Sequence, residues 1–231
     1  MTNLPDATWT EVDRASRRAV IVPLGSFEQH GPHLPLDTDT RIAVAVAAAA
    51  AAQRSGVAVA PALAFGASGE HAAFPGTVSI GTAALTDVLV ELGRDVTRHW
   101  GALLLVNAHG GNRDAVSHAL RRLDGEGKRC AAFFVSPRHG DAHAGRAETS
   151  MLLHLDPSAV RGKDAEPGET RPIAELIGRL RSEGVRSVSP NGVLGDPGGA
   201  TAAEGRRLLE HATADCVATL DALLSQGVVD A

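Results

Sequence analysis

Ala102-Leu103-Leu104-Leu105-Val106 runs without a polar residue into Asn107-Ala108-His109-Gly110-Gly111-Asn112. A short, unbroken apolar run of this kind belongs to a strand covered on both faces, as in a parallel sheet. Upstream, Ala19 to Leu24 reads the same way and turns through Gly25 into a polar loop. Helical stretches lie between and beyond these runs. Thr40 to Ser55 is helical by its alanine content and stops at Gly56. Thr82 to Trp100 carries Leu85, Val88, Leu89, Leu92 and Val96 at helical spacing. Val57 to Phe65 is a further apolar run interrupted by Pro61, and a helix through about Glu126 precedes a strand from Arg129 to Ser136. Strand and helix alternate, which predicts an α/β fold with a mostly parallel sheet and helices on both faces. Functional residues of such sheets gather at the carboxyl ends of the strands.

The flanking segments are weaker. A short helix is expected around Asp6 to Arg17, and others over Arg146 to Leu155 and residues 172–183. An edge strand is expected within Val185 to Val193, and Gly195 to Thr201 forms a tight loop opening a last helix, Ala202 to Ser225. No repeat or linker divides the 231 residues, so residues 1–231 read as a single domain.

Composition narrows the partners. The net charge is −5, no basic stripe is interleaved with aromatics, and aromatics make up 3% with no tyrosine. Nucleic acid is excluded on those grounds. The longest apolar run, Ile42 to Ala52, is too short to span a bilayer, and Met1 to Ala15 lacks a signal-peptide layout, so no membrane partner is expected. Cys130 and Cys216 lie far apart in apolar runs and read as buried reduced thiols, which fits a cytoplasmic protein.

The candidate chemistry falls in the loops. Glu28, His30 and Asp39 follow the first strand, His109 follows the Ala102 run, and His143 and Glu148 flank the start of a later helix. In an extended segment side chains two apart point the same way, so Glu28 and His30 are expected to aim at one point. Carboxylates mixed with imidazoles suit a divalent cation: iron(II) or zinc, with manganese(II) as a further option. Counting donors favours two divalent metal ions. Glu28, Asp39 and His109 would hold one, and a bridging Asp39 with His30 and Glu148 the other. Two such ions about 3.5–4 Å apart activate a shared water and polarise a carbonyl. His143, five residues before Glu148, is expected above the metals as general acid or base. Asn112 would cap the next helix or hold a histidine proton. His33 and His71 are expected near the site, and His99, His118, His154 and His211 at the surface. No serine elbow, lysine-bearing phosphate loop or dinucleotide fingerprint is present.

The motifs Glu28-Gln29-His30-Gly31-Pro32-His33-Leu34-Pro35 with Asp39, Gly69-Glu70-His71 with Phe74-Pro75-Gly76-Thr77, and His109-Gly110-Gly111-Asn112 occur in that order. With His143-Ala144, Glu148-Thr149-Ser150 and Gly195-Asp196-Pro197, they resemble the creatininase (creatinine amidohydrolase) family. The resemblance implies a three-layer αβα fold, a dinuclear metal centre, hydrolysis of an amide-type C–N bond and a ring-like homo-oligomer. It assigns metal-ligand roles to Glu28, His30, Asp39 and His109. One departure stands out. Creatininases place a metal-binding glutamate two residues after the histidine matching His109, where this chain has Gly111; Glu148 is the expected replacement. The resemblance also implies creatinine-gating aromatics, for which this chain offers only Trp9 and Trp100 and no tyrosine, so creatinine itself is not the expected substrate. Pro32 to Arg41 and Ser68 to His71 look most like the mycofactocin-system branch, peptidases that act on a modified ribosomal precursor peptide and release its C-terminal valine–tyrosine-derived core. A formamidopyrimidine-nucleotide deformylase or another small amide hydrolase is the alternative, and a metal-free binding module the non-enzymatic one.

Overall fold

The computed structural model describes residues 3–136 and 141–225. In chain order, α1 (Trp9–Arg14) precedes β1 (Ala19–Leu24), α2 (Thr38–Ala51) and β2 (Val57–Val59). Then come α3 (Gly81–His99), β3 (Leu103–Asn107), α4 (Arg113–Gly125) and β4 (Cys130–Phe134). The chain continues through α5 (Arg146–Leu155), α6 (Ile173–Glu183), α7 (Val185–Val188) and α8 (Ala202–Ser225). The strands form one parallel sheet in the order β2-β1-β3-β4.

The sheet separates two apolar layers because its residues alternate. Ala19, Ile21, Leu104 and Val106 pack with α2, α5 and α8 on one face, through Ile42, Val46, Met151, Leu152, Val217 and Leu220. Val20, Val22, Leu103 and Leu105 pack with α3 and α4 on the other, through Leu85, Leu89, Val116 and Leu123. The result is the expected three-layer αβα arrangement. A smaller cluster of Leu176, Leu180, Val185, Val188 and Leu194, with Phe74 against it, stands apart from both.

Strand order explains where a site can form. From β1 the chain crosses by α2 to β2, whereas from β3 it crosses by α4, on the opposite face, to β4. The neighbouring strands β1 and β3 therefore send their outgoing loops apart, which opens a crevice at their carboxyl ends. Leu24 and Asn107 lie side by side in the register. The loops bearing Glu28 and His109 thus leave the sheet at the same level.

Some expectations change. Val185 to Val193 contains no strand: α7 occupies its start, and Ser189-Pro190-Asn191-Gly192 closes a turn with Gly192 N–H donating to Ser189 O at 3.0 Å. Serine, proline and glycine stand at the positions such a turn favours, and they end any extended run. All that remains is an antiparallel bridge between His143 and Leu194. β2 covers only Val57–Val59, because Pro61 has no N–H to donate to a ladder, although Leu63 resumes pairing with Pro23 O at 2.9 Å. Helix α2 begins at Thr38, which puts Asp39 in its first turn, and α8 keeps the expected bounds. Cys216 is buried as expected, whereas Cys130 is half-buried on β4. Among the described residues no helix is long and apolar enough to cross a membrane.

Candidate metal centre

The β1 loop, the first turn of α2, the β3 loop and the start of α5 converge in the crevice. Glu28, His30, Asp39, His109 and His143 are all buried. His109 Nδ1 lies 3.1 Å from Glu28 Oε1 and 3.3 Å from Asp39 Oδ2. His30 Nε2 lies 3.1 Å from Asp39 Oδ1 and 4.0 Å from Glu148 Oε2. Asp39 thus turns one oxygen to each histidine. Ser26 Oγ–H donates to Asp39 Oδ2 at 2.6 Å and holds the carboxylate in that pose.

Glu28 and His30 do not meet at one point. Among the described residues three donor triplets lie close enough to hold a cation: Glu28-Asp39-His109, His30-His143-Glu148 and Glu28-His71-His143. Glu28 and His30 fall in different triplets, with Asp39 between them. The loop is not an extended strand here, and His30 Nδ1–H folds back to donate to Glu28 O at 3.1 Å. His143 enters two triplets rather than standing above them. His71, which no motif arithmetic singled out as a ligand, enters one, its Nε2 3.3 Å from Glu28 Oε1.

Glu28 provides the test of fit. Both of its carboxylate oxygens are buried and lack a hydrogen-bond partner, although three imidazole nitrogens stand within 3.7 Å of Oε1. A buried carboxylate is costly unless it is paired or coordinates a metal, and here only imidazoles among the described residues stand near it. Among the described residues only histidines come within ion-pair distance of Glu28 and Asp39. The donor set fits divalent cations.

The electrostatics of the metal-free cluster follow from that crowding. Burial opposes charge on Glu28 and Asp39, yet the facing His109 and His30 hold Glu28 below, and Asp39 well below, the usual carboxylate range. Burial likewise opposes protonation of His30 and His109. The carboxylates win, raising His30 to about 10 and His109 well above its ordinary value. Burial lowers His71 to about 3 and, with the neighbouring His30, pushes His143 well down. Burial raises Glu148 to about 7. Protons on His30 and His109 therefore stand where cations would, and a cation must displace them. Cation affinity is expected to rise with pH from about 7 to 10, roughly tenfold per unit for each proton released. Below about 7 Glu148 adds another proton to the count. Calorimetry in buffers of different protonation enthalpy measures this release, and a pH-independent affinity would remove His30 from the donor set.

Other residues act around the cluster. His109 Nε2–H faces Ala67 O at 3.2 Å, with Glu70 Oε1 at 3.5 Å, which turns Nδ1 inward. A Cβ on Gly111 would fall inside contact distance of Glu70 Oε1, Ala67 O and His109 Nε2. The space a side chain at 111 would need is thus filled, and Glu148 borders the cluster from α5, its Oε2 4.0 Å from His30 Nε2. Ala144 N–H anchors Glu148 Oε2 at 2.6 Å. Asn112 does not cap α4; it ties the loops together, accepting from Ala67 N and donating to Gly25 O and Asn107 Oδ1. His33 is buried against Thr149 Oγ1, while His99, His118, His154 and His211 are exposed as expected.

In sequence and fold the chain resembles known proteins. The family model described as Creatininase: Creatinine amidohydrolase matches residues 5–220. A mycofactocin precursor peptide peptidase of Mycolicibacterium smegmatis is 52% identical over 202 residues, 85% of this chain and 82% of that protein. One of Mycobacterium tuberculosis is 49% identical over 208 residues, 86% of this chain and 83% of that protein. A solved structure described as Creatininase Mn superposes with a TM-score of 0.75 at 25% identity, covering 95% of this chain and 97% of that one. A match that spans nearly the whole chain and includes every loop of the crevice leads to one conclusion: the chain belongs to the creatininase (creatinine amidohydrolase) family.

Proposed function

We propose that this chain is a metal-dependent peptidase that hydrolyses an amide bond in a modified precursor peptide of the mycofactocin type, releasing its C-terminal valine–tyrosine-derived core. The observation that carries the hydrolase reading is the fully buried carboxylate of Glu28, ringed by imidazoles and joined through Asp39 to a second donor set. The choice of peptide substrate rests on the relatives of that name, 48–52% identical over most of the chain.

In this reading Glu28, Asp39 and His109 hold one divalent cation, and His30, Asp39 and Glu148, with His143, hold the second. Bound cations supply an activated water and a Lewis acid for the amide carbonyl. The protein's part is orientation. Ala67 O fixes His109 with Nδ1 inward, and Glu28 O fixes His30 with Nε2 inward. His143 donates from Nε2 to Gln29 O at 2.8 Å, so that proton is committed to the backbone rather than aimed at a leaving nitrogen. Glu70, its pKa raised by burial and its side chain 29% exposed, is a carboxyl bordering this cluster from a more open position. A cytoplasmic, homo-oligomeric state belongs to the same proposal.

Glu148→Gln tests the replacement of the carboxylate missing at Gly111. It is expected to retain one equivalent of metal of two and to lose hydrolysis about 10²–10³-fold. Two equivalents at unchanged affinity would return the search to another residue. The substrate is tested by incubation with the modified precursor peptide and, separately, with a formylaminopyrimidine nucleotide, in oxygen-18 water. A labelled carboxylate on the peptide product supports the peptidase. Turnover of the nucleotide alone supports the deformylase, and turnover without label excludes hydrolysis.

A further inference from the structure

We propose that Gln29 is a positioning residue that holds His71 and His143 in the same Nε2–H tautomer but turned opposite ways. His143 then offers a lone pair to the Glu28 cavity and His71 offers an N–H. Of the three donor triplets, Glu28-His71-His143 is thereby excluded as a cation site, and His71 becomes a neutral hydrogen-bond donor at the edge of the reaction centre. The tautomers rest on geometry alone; only their consequence for ligation rests on the metal reading above.

Two backbone groups settle the orientation of the Gln29 amide. Gly31 N–H, a donor, lies 2.9 Å from one amide atom, which must be the oxygen. Gly192 O, an acceptor, lies 3.0 Å from the other, which must be the nitrogen. One amide hydrogen is spent on Gly192 and one remains. The same nitrogen lies 2.9 Å from His71 Nδ1 and 3.0 Å from His143 Nε2. His143 Nε2 also lies 2.8 Å from Gln29 O, a carbonyl that can only accept, so Nε2 carries its own hydrogen and cannot receive a second. The remaining amide hydrogen therefore goes to His71 Nδ1, which must be bare. His71 Nε2 then carries its hydrogen, 3.3 Å from Glu28 Oε1. On His143 the bare atom is Nδ1, 3.7 Å from the same oxygen. The two rings sit 4.5 Å apart and present opposite chemistry to one carboxylate.

The seat is closely built. Gln29 is 6% exposed. Gly192 has φ +83°, and a Cβ there would fall on Gln29 Oε1, so only glycine lets the amide approach. A histidine's tautomer is set by the bond its other nitrogen makes. Here one amide and one carbonyl of the same residue set two at once.

The test is nitrogen-15 NMR of metal-free, histidine-labelled protein at neutral pH, with His71 and His143 assigned from His71→Asn and His143→Asn spectra. Both rings are expected as Nε2–H tautomers. In Gln29→Glu the carboxylate has no hydrogen to give, so His71 is expected to switch to Nδ1–H while His143 stays. Gln29→Met, which can neither donate nor accept strongly, is expected to leave His71 mixed. Hydrolysis by the metal-loaded Gln29→Glu protein is expected to fall at least about 10-fold, in the range of losses for residues that orient ligands. An Nδ1–H tautomer at His71 in the parent protein, or an unchanged His71 in Gln29→Glu, overturns the proposal. If neither variant folds, the parent spectrum decides alone. Because the spectra are recorded without metal, the failure of the metal reading would appear separately, as no cation bound in elemental analysis.

Discussion

Asp39→Asn is expected to lower amide hydrolysis at least about 10³-fold and to weaken both cation sites together. No other single substitution should reach both, because Asp39 gives Oδ1 to the His30 side and Oδ2 to the His109 side. The variant should still fold. Asparagine is nearly isosteric, and its oxygen can keep the bond from Ser26 Oγ. What changes is charge. In the metal-free protein Asp39 is the first group raising His30 to about 10, against the opposing effect of burial. Without it burial dominates, and His30 should titrate far lower. Two measurements bear on the prediction, metal equivalents by elemental analysis and the His30 titration by NMR. A variant that binds two equivalents with parental turnover would end the reading of Asp39 as the shared ligand.

Gly111→Glu introduces the carboxylate that the resemblance to creatininases implies for this position, and it is expected to harm the protein. The new Cβ would meet Ala67 O and the His109 ring as well as Glu70. Glu70 can swing away, but a backbone carbonyl and a buried ring cannot. Overpacking of this kind costs about 1–3 kcal/mol, and at about 2–4 °C per kcal/mol for a chain of this size a Tm loss of several degrees follows. Displacing His109 should weaken the Glu28-Asp39-His109 site in the same variant. Gly110→Glu is the control, since nothing lies within 4 Å of a Cβ there, and it should stay within about 0.5 kcal/mol of the parent. Equal stability of the two variants would mean that Ala67 yields, and that the glutamate lost at 111 could be put back.

Much of the frame was legible from residue patterns. The apolar runs at Ala19 and Ala102 become the central strands because nothing polar interrupts them, and α8 keeps its bounds from Ala202 to Ser225. Glu28, Asp39 and His109 were legible too, because a loop after a buried strand has one place to go in a parallel sheet. The rest depends on side chains far apart in sequence, which leave no period to read. His71 reaches Gln29 across 42 residues and His143 across 114. The rule that side chains two apart share a direction failed at Glu28 and His30 because it holds for strands. The Ser189 to Gly192 turn was hidden by the valines around it, whose strand preference was outweighed by Pro190 and Gly192.

The link from Gln29 to Gly192 spans 163 residues. Closing a loop of that length costs conformational entropy that only a late, cooperative docking can offset, and contacts so distant slow the search for the native state. The β1 and β3 loops can assemble Glu28, Asp39 and His109 as soon as the sheet forms. His71 and His143 take up their final poses only when the turn near residue 192 arrives. A ribosome-bound chain is thus expected to bring Glu28, Asp39 and His109 together before Gln29 can seat His71 and His143.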